Sequence, residues 1–292
     1  MARYAVAGVS GNTGGATARA LLARGAPVRV VVRDPVKGEP WEAAGAEVAV
    51  ADLGDPAALA AALRGVTAAY VLNPPAYALP DLFARAEQLA ESILQAARAA
   101  GRPRLVVLSS IGAHLPAGTG NILTNRAFER VLGPPERAST FLRPAYFMEN
   151  WAWVAPVAAE QGVLPSFLAP LDRAIPMVSV ADVGEAAAQA LLDEDGAGTV
   201  IELAGPRSYS PAAAAAAFAA ALGRPVTAVA VPEEGWPAAL ASSGFSARTI
   251  ASWQELFRAF NTGAIDFERR GGEPARGGTP LEDAIAAVVR GR

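Results

Sequence analysis

Gly8, Gly11 and Gly14 stand three residues apart in the run Val6-Ala7-Gly8-Val9-Ser10-Gly11-Asn12-Thr13-Gly14-Gly15. A short apolar stretch, Tyr4 to Ala7, leads into the run, and a helix-like stretch, Ala16 to Arg24, leaves it and ends at Gly25. Strand, glycine turn and helix in that order bring backbone N–H groups and a helix N-terminus onto a diphosphate. Glycine serves the backbone angles of the turn and keeps side chains out of the phosphate space. A side chain at Gly11 or Gly14 is therefore expected to block the ligand. Ser10, Asn12 and Thr13 add short polar groups to the same loop.

A second cue lies in Val28-Arg29-Val30-Val31-Val32-Arg33-Asp34-Pro35, which reads as the next parallel strand and its end. A site for NAD places a carboxylate about 20 residues beyond the glycines, where it accepts from the ribose 2′-hydroxyl. Arg33 and Asp34 compete for that place. Arg33 suits a 2′-phosphate by charge and by bidentate hydrogen bonding. Asp34, just before Pro35, has the character of a turn residue. Lys37, the single lysine of the chain, adds a second cation. The reading favours NADP(H) over NAD(H); its competitor leaves Arg33 and Lys37 as solvated surface charges. Further along, Ser109-Ser110-Ile111-Gly112 and then His114 follow an apolar run, at the strand end where active sites of such sheets lie. His114 could donate a proton near neutral pH, against the plainer reading of an exposed loop histidine. Ser110 is better placed, although serines at strand ends often satisfy backbone groups.

These residues need a frame. Up to about residue 147 the chain alternates short apolar segments with helix-like ones. The expected strands are Tyr4–Ala7, Val28–Val32, Glu47–Val50, Ala69–Leu72, Leu105–Leu108 and Thr140–Leu142. Such runs suit strands covered on both faces. Asp55-Pro56 opens one helix, and Asp81 to Ala100 forms a long amphipathic one. The alternation implies an α/β fold with a doubly wound parallel sheet. Beyond Trp151 it breaks, and aromatic residues become denser: Trp151, Trp153, Phe167, Trp236, Phe245, Trp253, Phe257 and Phe260. Those from Trp236 to Phe260 would line a substrate pocket or simply fill the core of a smaller lobe. Asp182 with Glu185, and Thr279-Pro280 with Glu282, read as capping boxes, and Ser210-Pro211 as a further cap. Strands recur at Thr199–Leu203 and Pro225–Val231, and Gly271 to Gly278 reads as a loop. The expected division is a dinucleotide-binding part, residues 1–150 with 176–204 returning to it, and a smaller lobe from 151–175 and 205–292.

Composition narrows the field. The chain has 292 residues, a formal charge of −3 and no cysteine. Thiolate metal sites, disulfides and a cysteine nucleophile are excluded, and one histidine cannot build a histidine metal cluster. The acidic balance argues against a nucleic-acid surface. The alanine-rich run Ala212 to Ala221 is too short to span a bilayer, and the N-terminus does not read as a signal peptide. The expectation is a cytoplasmic protein acting on a small molecule, with no metal, nucleic acid or membrane. A second copy or a regulatory protein is an open partner.

With these residues in view, the chain resembles the NmrA-like branch of the atypical short-chain dehydrogenases over essentially its whole length. The matching strings are Gly8 to Gly14, Val32-Arg33-Asp34-Pro35, Leu108 to Gly112, Phe141-Leu142-Arg143-Pro144 running to Phe147-Met148-Glu149-Asn150, Ile175 to Val178 followed by Asp182-Val183, and Glu202 to Pro206. The resemblance implies an NADP(H)-binding Rossmann domain facing a small substrate lobe. It implies that Gly8 to Gly14 hold the diphosphate and that Arg33 with Lys37 hold the 2′-phosphate. It further implies that Asp52 and Leu53 border the adenine, that Asn73, Pro74 and Pro75 line the nicotinamide side, and that Phe147 and Asn150 approach the nicotinamide.

The departures matter as well. Short-chain dehydrogenases pair a tyrosine with a lysine four residues later, the lysine lowering the phenol's pKa for proton transfer. Tyr4, Tyr70, Tyr77, Tyr146 and Tyr209 all lack that lysine. Quinone-reductase relatives carry a lysine where, by spacing from Glu129, Thr124 stands here, with Asn125 adjacent. Alcohol oxidation by the tyrosine–lysine route is thereby disfavoured. An NADPH-dependent reductase of a quinone-like acceptor heads the readings, with a non-catalytic NADP(H) sensor as the alternative.

Overall fold

Alternating strands and helices build the first half of the chain in the computed structural model, which describes residues 3–133, 139–193 and 198–291. In order these are β1 (Tyr4–Ala7), α1 (Asn12–Ala23), β2 (Val28–Val32), α2 (Glu39–Ala43), β3 (Glu47–Val50) and α3 (Pro56–Leu63). Then come β4 (Ala68–Val71), α4 (Leu82–Ala99), β5 (Arg104–Leu108), α5 (Leu123–Leu132) and β6 (Ser139–Pro144). The second half runs β7 (Tyr146–Phe147), α6 (Ala155–Gln161), β8 (Val163–Ser166), β9 (Ile175–Val178), α7 (Val180–Leu192), β10 (Val200–Ala204) and β11 (Ser208–Tyr209). It ends with α8 (Pro211–Leu222), β12 (Thr227–Ala230), α9 (Trp236–Ala241), α10 (Ala247–Thr262), β13 (Ala275–Arg276) and α11 (Leu281–Arg290).

Eight strands form one sheet in the order β13-β10-β6-β5-β4-β1-β2-β3, and its pairings are parallel. This is the doubly wound architecture that the alternation implied. The order reverses between β1 and β4, which leaves a crevice at the carboxyl ends of those strands. Successive residues of β1 serve opposite faces. Tyr4 and Val6 join a core with Leu21 of α1 and Val183 of α7. Ala5 and Ala7 join another with Leu59 of α3, Leu89 and Ile93 of α4, and Phe128 of α5. Full burial of such leucine and isoleucine side chains contributes about 1.5–3 kcal/mol each. α1 and α7 meet where Gly184 faces Ala16, so closely that a β-carbon on residue 184 would lie 2.5 Å from the Ala16 methyl. Smaller pairings complete the second half: β9 joins β11 and β7, and β12 joins β8. Among the described residues, no helix is long and apolar enough to cross a membrane.

Three local expectations change. α7 starts at Val180, with the Ser179 hydroxyl accepting from the Asp182 N–H at 3.2 Å. Asp182 is therefore not a cap; its carboxylate accepts from the Thr279 N–H at 3.0 Å and from the Thr279 hydroxyl at 2.8 Å. Thr279 is thereby occupied, and α11 begins behind Pro280 with no side-chain cap. The glycine-rich stretch before it is not wholly a loop, because Ala275 and Arg276 pair with Leu203 and Ala204 of β10. The caps at Asp55 and Ser210 form as the sequence suggests.

Gly184→Ala is expected to cost about 1–3 kcal/mol through overpacking of α1 against α7. The urea midpoint should fall with an unchanged m-value. An unchanged midpoint would show that the two helices separate freely.

Candidate functional site

The turn after β1 is built from three glycines with three different duties. Gly8 takes φ +68°, a conformation side chains rarely adopt, and a β-carbon there would meet Leu72 Cδ2 at 2.6 Å. The Gly11 N–H donates to the Gly8 carbonyl at 2.9 Å and closes the turn. A β-carbon on Gly11 would press on that same carbonyl oxygen at 3.3 Å, a tight contact, and would meet no other atom within 4 Å. Gly14 is different. A β-carbon there would lie 2.4 Å from the Gly8 carbonyl and 2.5 Å from that of Ala7. Its role is to let α1 press against the end of β1, and the expectation that Gly14 clears phosphate space is corrected to that extent. No side chain caps α1 and no acidic residue sits in its first turn, so its first N–H groups stand open to an acceptor. A diphosphate fits this cradle.

Near the end of β2, the Asp34 carboxylate accepts from the Val36 N–H at 3.0 Å and caps a 3-10 turn over Pro35–Lys37. That occupies one Asp34 oxygen in turn-making. Arg33 and Lys37 are exposed, and among the described residues neither enters an ion pair. Asp52, also exposed, accepts from the Gly54 N–H at 2.7 Å, while the Leu53 side chain is buried in the core. Asp52 borders a shallow depression with Gly54, Asp55, Arg85 and Gln88, apart from the main cavity.

That main cavity, of about 550 Å³, lies over the crevice. Gly11, Asn12 and Thr13 reach it from the first turn, Asn73, Pro74 and Pro75 from the end of β4, and Ser109 and Ser110 from the end of β5. Thr124 and Asn125 of α5 line it, as do Tyr146, Phe147 and Asn150. Gly8, Ser10, Gly14, Arg33, Lys37, Asp52, Leu53 and His114 lie outside its wall. The opposite wall is aromatic. Tyr77 lies 5.0 Å from Phe245 and 5.7 Å from Trp253 between ring centres. Trp153 lies 5.6 Å from Phe245. Phe257 stacks on Phe167 at 4.9 Å and touches Trp253 at 5.3 Å. The Ser246 N–H donates to the Tyr77 carbonyl at 3.0 Å, and Arg248 pairs with Asp81 at 2.8 Å. The two sides of the cavity mouth are thus tied together.

The hydroxyls proposed for chemistry serve the backbone. Thr124 donates to the Asn121 carbonyl at 2.8 Å and Ser110 to the Ile111 carbonyl at 3.0 Å. His114 is half-buried, and its carbonyl accepts from Arg126 at 2.7 Å. The string from Arg143 to Asn150 separates into distinct tasks. Arg143, 5% exposed, donates to both oxygens of Glu129 at 2.8 and 2.6 Å and to Glu268 at 2.6 Å. Glu129 in turn accepts from the Ser109 hydroxyl at 2.5 Å. Glu149 accepts from the Val180 N–H with both oxygens, at 2.9 and 3.0 Å, which anchors the turn carrying Asn150 to α7. Burial raises the Glu149 carboxyl above its ordinary value, against the Val180 hydrogen bond. Tyr146 lines the cavity; burial pushes its phenol up to about 12, with the Asn150 hydrogen bond opposing. The sequence around Tyr146 carries no signal for this setting, because no lysine follows it four residues on. A charged Arg143 directly after the apolar pair Phe141-Leu142 of a central strand was the available signal for the buried cluster.

Fold, glycine turn and cavity together define a dinucleotide-binding α/β protein. The NmrA-like family model matches residues 2–273, and the chain belongs to the NmrA-like family. It is 30% identical to an NAD(P)H azoreductase of Xenophilus azovorans over 97% of this chain and 98% of the relative. It is also 30% identical to quinone oxidoreductase 2 of Escherichia coli, over 82% of each chain. Among solved structures, an NADPH-dependent quinone oxidoreductase of Escherichia coli complexed with NADPH superposes with a TM-score of 0.79. The alignment has 26% identity and covers 98% of this chain and 99% of that one.

Removing Arg143 alone, as Arg143→Met, takes the ionic partner from the half-buried Glu129 and leaves Glu268 with Arg270 alone, and is expected to cost about 3 kcal/mol. Burial works to raise the Glu268 carboxyl, but hydrogen bonding and attraction to Arg143 hold it below its ordinary value. A lowered folded-state pKa stabilises above the unfolded value and is lost as pH falls through the folded one. The gap between wild-type and variant denaturation midpoints should therefore be full at neutral pH and narrow below the ordinary carboxylate range. A gap independent of pH would contradict this account.

Proposed function

We propose that this chain is an NADPH-dependent oxidoreductase that reduces a quinone-like or other electrophilic small molecule. The observation that carries the reading is one cavity shared by the uncapped N-terminus of α1 and a wall of aromatic rings. The azoreductase and quinone oxidoreductase relatives support it. The relatives named are reductases, and no observation favours the sensor alternative.

In this reading Gly8, Ser10, Gly11, Asn12, Thr13 and Gly14 would form the diphosphate turn, and Arg33 with Lys37 would hold the 2′-phosphate. Asp52 and Leu53 would border the adenine. Asn73, Pro74 and Pro75 would face the nicotinamide from one side, Phe147 and Asn150 from the other. When bound, NADPH supplies a hydride, so that a quinone, NADPH and one proton give a hydroquinone and NADP⁺. The protein's own contribution is mainly proximity in a cavity from which aromatic side chains exclude water. Tyr146 keeps its proton at neutral pH and can donate a hydrogen bond to an acceptor oxygen, the proton of the overall reaction coming from solvent. Residues 1–150 and 176–204 would serve the dinucleotide, and 151–175 with 205–292 the substrate.

Cofactor choice is expected to turn on Arg33. Arg33→Ala should weaken NADPH binding by about 1.5–3 kcal/mol, the scale of a charge-assisted hydrogen bond, and leave NADH nearly unchanged. If Asp34 holds the ribose instead, Asp34→Ala should injure NADH binding selectively. Fluorescence titration of both cofactors decides; equal losses in Arg33→Ala would remove its phosphate role. By the same measurement, Gly11→Val should bind neither cofactor while its thermal unfolding stays cooperative. Unchanged affinity would overturn the assignment of the turn.

A further inference from the structure

The cavity wall has an informative omission. Among the described residues lining it there is no aspartate, glutamate, lysine, arginine or histidine. Its polar groups are neutral amides and hydroxyls, among them Asn73, Ser110, Asn121, Asn125 and Asn150. Directly behind the floor, the Ser109 hydroxyl is held by Glu129, and Glu129 is already paired with Arg143, so that cation is engaged by a carboxylate. Across from it stand Tyr77, Trp153, Phe245 and Trp253, within 6.5 Å of one another in successive ring contacts. Phe167 and Phe257 extend this surface at a stacked 4.9 Å.

An anionic group entering such a space loses its hydration and meets no ionised partner, a penalty of several kcal/mol even after relaxation. A bound dinucleotide adds phosphates of the same sign. An uncharged ring system pays none of this, and aromatic pairs add about 0.5–1.5 kcal/mol each beyond the area they bury. The wall thus discriminates through what it refuses as well as through what it holds.

We propose that the substrate of this site is an uncharged, planar, multi-ring aromatic acceptor, and that acceptors bearing a sulfonate, carboxylate or phosphate are rejected by the charge-free wall. This rests on the reductase reading above and specifies its substrate.

The test compares 9,10-phenanthrenequinone with its 3-sulfonate. The sulfonate withdraws electrons, so in solution the anion accepts hydride at least as readily, and a preference for the neutral quinone must come from the protein. Binding to protein saturated with the redox-inert 1,4,5,6-tetrahydro analogue of NADPH, whose nicotinamide ring is uncharged, is read from quenching of tryptophan fluorescence, and turnover from NADPH oxidation. The neutral quinone should bind at least about 30-fold tighter and show a similar or larger advantage in kcat/KM. Trp153, 58% exposed at the rim, offers a place to add charge. Trp153→Arg should shrink the preference by about tenfold, chiefly by improving the sulfonate, as expected for a charge-assisted contact. Trp153→Leu should weaken both quinones and leave their ratio nearly unchanged. Equal binding of the two quinones, tighter binding of the sulfonate, or failure of the neutral quinone to bind would overturn the proposal. If the neutral quinone binds with the expected preference but neither quinone oxidises NADPH, the charge selection stands and the reductase reading falls.

Discussion

A β-carbon on residue 14 would stand 2.4 Å from the carbonyl oxygen of Gly8 and 2.5 Å from that of Ala7. That crowding lets α1 run hard against the end of β1, and much of the site's geometry follows from it. The first turn of α1 is directed into the crevice where the sheet order reverses between β1 and β4. Its N–H groups are left without a capping side chain. The same device recurs on the far side of α1, where Gly184 lets α7 approach Ala16. Small residues at two contacts therefore fix the position of one helix between a strand and a second helix. The cavity then forms between that helix end and the segments laid over it.

Polar contacts over long sequence separations seat those segments. Arg143 draws Glu129 of α5 and Glu268, close to the C-terminal end, into one buried cluster. Glu149 holds the start of α7, and Asp182 of α7 holds Thr279. A buried ion pair is weak evidence for net stability, because desolvation offsets much of the attraction. What such a cluster does well is penalise alternatives: any arrangement that separates Arg143 from its carboxylates leaves charge buried and unpaired. The Arg143 cluster therefore specifies where β6, α5 and the chain near Glu268 meet, directly behind the serine that lines the cavity.

Much of this frame was legible in the sequence, because strand and helix periodicity are local signals. β1, β2 and β4 are short and buried along their length, and their apolar runs say so. The glycine turn was legible as well, although the separate duty of Gly14 was not, since it depends on how closely a helix packs. The misread caps share a cause. Asp182 looks like a helix start until its partner Thr279, 97 residues away, is known. β13 was hidden because two residues in a glycine-rich stretch carry no periodicity, and only their neighbour β10 makes them a strand. The aromatic residues were visible as a composition. That Tyr77 crosses from the end of β4 to join them is a tertiary fact without a local signature. Tyr146 escaped notice for another reason: its environment in the fold, and no neighbouring lysine, sets its proton affinity.

The central claim is that one continuous cavity joins the first turn of α1 to the aromatic wall and accommodates the dinucleotide and its acceptor together. A crystal structure of the protein with NADPH bound measures this directly. Diphosphate oxygens should lie against the first N–H groups of α1. The dihydronicotinamide ring should lie between Asn73–Pro75 and Phe147–Asn150, with its open face toward Trp253 and Phe257. A diphosphate bound away from α1, or a nicotinamide turned out of the cavity, would contradict it.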